Sequence, residues 1–73
     1  MHKDVRQVMD LMVEDIIKDE GFAREMAEAA YWCAQDGHPI VAEEMHHIGR
    51  QYRIRGMEKR AKLALLQKAY PET

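Results

Sequence analysis

Serine is absent from this 73-residue chain, and the only threonine is Thr73. A hydroxyl nucleophile beside an activating base, the arrangement acyl-transfer enzymes need, therefore has no material inside the chain. Cys33 is the sole cysteine, which excludes a disulfide within the chain and fits a reducing compartment. Placed on an apolar helical face, a buried thiol of this kind is inert rather than nucleophilic. The four glycines are isolated from one another, so no glycine-rich loop can cradle a phosphate. No apolar run approaches the roughly 18 residues of a membrane span. The polar start, Met1-His2-Lys3-Asp4, lacks the apolar stretch of a signal peptide. The expected location is cytoplasmic, with no membrane partner. Strand-like alternation is missing, and β-branched residues are few beyond residue 17.

Glycine and proline come together once, at Asp36-Gly37-His38-Pro39. Glycine supplies a left-handed helix stop and proline a fixed φ for restarting one. The break also separates charge. Residues 1–48 carry four Lys and Arg against eleven Asp and Glu, and residues 49–73 carry seven against two. A hydrophobic fraction of 47% is ordinary for a folded domain. A chain this short builds a thin core, and such domains commonly recruit a metal or a second copy of themselves.

The first apolar stripe runs through Val5, Val8, Met9, Met12 and Ile16, with Val13 and Ile17 broadening it and Asp4 as the expected N-cap. It resumes in phase at Ala23, Met26, Ala27, Ala30, Cys33 and Ala34. Gly21 can be read as a stop, with Ile17 and Phe22 as the apolar pair of a Schellman ending, or as an interior glycine costing about 1 kcal/mol. After Pro39 the stripe is Val41, Met45, Ile48 and Tyr52. Gly56 poses the same question as Gly21, and Met57, Ala61, Ala64, Leu65 and Lys68 continue the helical pattern towards Pro71.

The fold class is all-α, a single domain with a first arm over residues 3–35, a turn over 36–39, a second arm over 39–69 and a loose tail over 70–73. Two architectures fit. One is a long antiparallel hairpin, kinked or continuous at Gly21 and Gly56, that pairs with a second copy into a four-helix bundle. The other is a compact monomer of three or four short helices. The hairpin is preferred because its arms match in length. With the turn near residues 37–38, it also sets Glu14, Asp15, Asp19 and Glu20 beside Arg55, Lys59 and Arg60.

Three constellations bear on function. Phe22, Tyr31 and Trp32 form an aromatic group of the kind that anchors protein interfaces. Five methionines beyond Met1 line the stripes and suit adaptable contact surfaces. Glu43-Glu44-Met45-His46-His47 contains Glu-x-x-His twice, a spacing that puts a carboxylate and an imidazole on one helical face. Joined by Glu28, the pair Glu44 and His47 is similar to the half-site of ferritin-like di-iron chains. The resemblance implies iron, manganese or zinc held between two copies. The basic residues Arg50, Arg53, Arg55, Lys59 and Arg60, with Tyr52 among them, are the candidate nucleic-acid contact.

The leading expectation is a small non-catalytic protein-binding module, a regulator, adaptor or assembly factor. It acts as a homo-oligomer through the seam of Val5, Met9, Met12, Ile16, Ala27, Ala30, Val41, Met45, Ile48 and Tyr52. Metal binding and nucleic-acid binding are the second and third readings. Enzymatic activity is not expected, since a preformed pocket would consume much of so thin a core.

Overall fold

The structure, a computed structural model, describes residues 3–71. It contains two helices, α1 over Lys3–Gln35 and α2 over Pro39–Ala69, packed side by side and antiparallel. The hairpin measures 56 × 14 × 12 Å, and its radius of gyration is 16.3 Å, against about 11 Å for a compact chain of this length. Both helices run unbroken through their central glycines, so Gly21 and Gly56 are interior residues and the compact three- or four-helix alternative does not form. Asp4 sits within the first turn of α1 rather than ahead of it, where its charge still complements the helix dipole.

The turn is built by local chemistry. Gly37 has φ +84°, its N–H donates to the Ala34 carbonyl, and the His38 N–H donates to the Cys33 carbonyl. These are the two bonds of a Schellman ending with glycine at the left-handed position. Pro39 then opens α2 with no backbone donor to lose, and the Ala42 N–H closes the first turn on the His38 carbonyl. The expected loose tail lies partly outside the described residues. Its first member, Tyr70, is not loose: its N–H caps α2 on the Leu66 carbonyl, and its side chain is half-buried.

The seam between the helices follows a seven-residue repeat. On α1 it consists of Val5, Met9, Met12, Ile16, Asp19, Ala23, Met26, Ala30 and Cys33, all buried or half-buried; on α2 it is Ala42, Met45, Gly49, Tyr52, Gly56, Lys59, Leu63 and Leu66. Steps alternating between three and four residues keep one stripe facing the partner helix along the whole length. Within the hairpin the buried line of α2 is not the full apolar stripe of Val41, Met45, Ile48 and Tyr52. Ala42, Gly49 and Gly56 are buried, whereas Val41 and Ile48 lie 46% and 39% exposed beside them. Ala27 is likewise exposed while Ala23 and Ala30 are buried. Small residues win these positions because they let the backbones approach closely. A Cβ on Gly49 would stand 3.2 Å from the Met26 Cβ and 3.4 Å from the Ala23 carbonyl oxygen.

Gly21 faces open space. Gly21→Ala therefore gains the helix propensity of alanine, about 1 kcal/mol. At Gly49 the same gain is opposed by an overpacking cost of about 1–3 kcal/mol, because the atoms it meets are fixed to the backbone. At one fixed protein concentration, thermal melts should place Gly21→Ala above the wild type and Gly49→Ala below it.

Candidate protein-binding surface

Along the middle of the seam the apolar repeat is interrupted by charge. Asp19 is buried, and its carboxylate accepts a 2.7 Å hydrogen bond from Lys59 Nζ, with Asp15 a further 3.9 Å contact. Beside them Arg60 clamps Glu20 through two bonds of 2.5 and 2.8 Å. The hydrogen bond from Arg60 holds the Glu20 carboxyl below its ordinary range and raises the guanidinium in return. The contribution of that pair is present above the ordinary glutamate range and is lost as pH falls through the depressed folded-state value. The acidic first arm and basic second arm thus meet within one chain, at the level the sequence suggests.

These contacts define two broad sides of the hairpin. Glu20 and Arg60 mark one. The other is marked by Phe22, whose ring lies 5.2 Å from that of Tyr52, and by Arg55, whose guanidinium sits 5.1 Å from the same Tyr52 ring. Helical periodicity from these markers assigns the remaining exposed side chains. The Phe22 side carries Val8, Leu11, Phe22 and Trp32 from α1, and Val41, Ile48 and Leu65 from α2. The Glu20 side carries Val13, Ile17, Tyr31 and Met57; Ile40 and Ile54 lie on the outer back of α2. More than half of the large exposed apolar residues thus crowd one side. Two shallow hollows open there, one of about 230 Å³ beside Lys18, Gly21, Phe22 and Glu25, the other of about 220 Å³ between Val5, Val8, Leu66 and Tyr70.

The three aromatic residues singled out from sequence are all largely exposed, Phe22 at 47%, Tyr31 at 56% and Trp32 at 58%. They do not form one cluster. Tyr31 and Trp32 meet edge to face at 5.2 Å on the outer surface of α1, spread by the step of about 100° between adjacent helical residues. Phe22 and Trp32 share a side, separated by about 15 Å along the axis.

The hairpin does not bring the expected metal ligands together. Among the described residues no three His, Cys, Asp or Glu side chains converge on a point that could hold an ion. Glu28 and His47 stand level with each other but on the outer backs of their helices, and the His47 ring pairs with Gln51 at 3.3 Å. The five basic residues are divided as well. Lys59 is in the seam, Arg55 covers Tyr52, and Arg50 and Arg53 lie on the Glu20 side with Arg60. A single cationic track does not arise. Cys33 is half-buried in the seam, 3.8 Å from the sulfur of Met45. Among the described residues no helix is long and apolar enough to cross a membrane.

Sequence reasoning placed Asp19 beside Lys59 but missed that Asp19 is buried in the seam, and it missed Gly49. The signal for both was present: Asp19 lies on the alternating steps of four and three from Val5 to Cys33, and Gly49 falls seven residues from both Ala42 and Gly56. No protein-family model, curated protein or solved structure matches this chain.

Removing one partner of the seam ion pair strands the other in a half-buried site. Asp19→Ala should lower stability by about 1–3 kcal/mol in urea titrations. Replacing both members, as Asp19→Leu with Lys59→Leu, should recover most of that loss, because apolar substitutes for a buried pair are often neutral or stabilising.

Proposed function

We propose that this chain is a small non-catalytic module that works by binding protein, beginning with a second copy of itself. One observation carries the reading. The described residues bury only five apolar side chains, Met9, Ile16, Ala23, Ala30 and Ala42, and no large side chain is fully buried. Three of those five are alanines, so the hairpin's own interior stabilises it little. Its accessible surface of 5836 Å² exceeds by about 1,100 Å² the ~4,700 Å² typical of a compact monomer of this mass. Two hairpins stacked through their apolar sides form a four-helix bundle and remove that excess. Such a bundle presents a rigid, elongated surface suited to a regulator, adaptor or assembly factor. Phe22 and Trp32 serve the contact between copies, and Tyr31, against the Trp32 ring, anchors a further protein at the edge of that contact.

Sedimentation equilibrium of the untagged chain between about 1 and 100 μM tests the reading. The expected result is a species of twice the 8.6 kDa chain mass, with a melting temperature that rises with protein concentration. A fully helical monomer at the highest concentration overturns it. Trp32→Ala should weaken the dimer about tenfold, while circular dichroism at high concentration shows helicity unchanged; loss of helicity there would make Trp32 a part of the fold instead.

A further inference from the structure

We infer that the second copy docks on the Phe22 side with a two-fold axis parallel to the helices. α1 of one protomer then lies against α2 of its partner, and both turns sit at the same end. This rests on the self-association reading and adds to it the face, the symmetry and the residue pairing.

The charge of the helices points to this arrangement. α1 carries four basic residues against eight acidic, and α2 carries seven basic against three acidic. An axis parallel to the helices places each acidic helix between two basic ones. An axis perpendicular to them stacks α1 on α1 and α2 on α2, setting like charge against like.

The pairing can be read from the hairpin itself. A two-fold parallel to the helices leaves heights unchanged, so a residue of α1 meets, across the interface, whatever stands level with it on its own α2. Those levels are fixed by the contacts of Cys33 with Met45, Met26 with Gly49, Phe22 with Tyr52 and Asp19 with Lys59. On the Phe22 side they set Leu11 against Leu65, Asp15 against Lys62, Lys18 against Glu58, and Ala29 against Ile48. Two of these pairs are apolar and two join opposite charges; Phe22 stands level with Arg55, Glu25 with Gln51 and Trp32 with Glu44. The perpendicular axis reverses heights about the middle of the hairpin. It brings Lys18 near its own copy, Arg55 near its own copy, and Asp15 against Phe22. Docking through the Glu20 side with the parallel axis sets Arg24 level with Arg53. The Phe22 side with the parallel axis avoids these like-charge contacts. The hairpin's 56 by 14 Å outline offers a footprint of the size of a standard interface, about 800 Å² per partner.

Two measurements test the arrangement. In the first, Asp36→Cys is combined with Cys33→Ala, and a spin label at position 36, an exposed turn residue, reports the distance between turns by pulsed electron double resonance. Turns at the same end lie within about two interhelical spacings, some 20 Å before the label's own length is added. Turns at opposite ends lie near the 56 Å length of the hairpin. In the second, Lys18→Glu and Glu58→Lys should each raise the dimer dissociation constant about tenfold, and the double variant should restore it. A short distance with charge-swap rescue supports the arrangement. A dimer with a long distance, or one indifferent to the swaps, overturns it and leaves self-association standing. A chain that sediments as a monomer overturns both.

Discussion

The close approach of two helices along a seam of small residues is the constraint on which the rest of this structure depends. Ala23 and Ala30 on one helix face Ala42, Gly49 and Gly56 on the other, and Gly49 comes so near α1 that a Cβ there would press on Met26 and on the Ala23 backbone. Over the half of the hairpin nearest the turn, backbones this close confine one line of seam positions to Ala and Gly, with Met26, Met45 and Tyr52 filling the alternate positions beside it. The bulky apolar residues of α2, Val41 and Ile48, are consequently displaced to its flank. The tight seam and the exposed apolar side are therefore one phenomenon.

Charge does a different task. In mid-seam the Asp19–Lys59 pair occupies positions that an apolar coiled coil would give to leucine. A buried ion pair adds little net stability, but sliding the helices by one turn would strand both charges. The pair, with Glu20 and Arg60 beside it, fixes which residues stand level. In the proposed dimer, whose two-fold axis preserves levels, the same register would set which residues meet between chains.

The two hollows on the Phe22 side are shallow and open, and the described groups with a shifted pKa, Glu20 and Arg60, form a surface ion pair. The fold is an elongated rod with more than half of its large exposed apolar residues on one side. Surfaces of this kind recognise other surfaces.

The local chemistry of the chain determined the two arms, their lengths and the turn. Gly37 and Pro39 act through backbone sterics alone, which need no distant partner, and the apolar stripes kept helical phase across Gly21. The pairing of Asp15, Asp19 and Glu20 with Lys59 and Arg60 was legible too, since it follows from the position of the turn. Tertiary structure decided the rest. An apolar stripe read from sequence is broad, and α2 carries apolar residues nearly all round. The choice of Ala42, Gly49 and Gly56 over Val41 and Ile48 as the buried line depends on how closely the other helix approaches, which no property of α2 by itself contains. The placing of Glu28 and His47 on the outer backs of their helices has the same origin. Residues that share a height on two helices share a site only if the rotation of each helix about its own axis brings them to the same side, and packing sets that rotation.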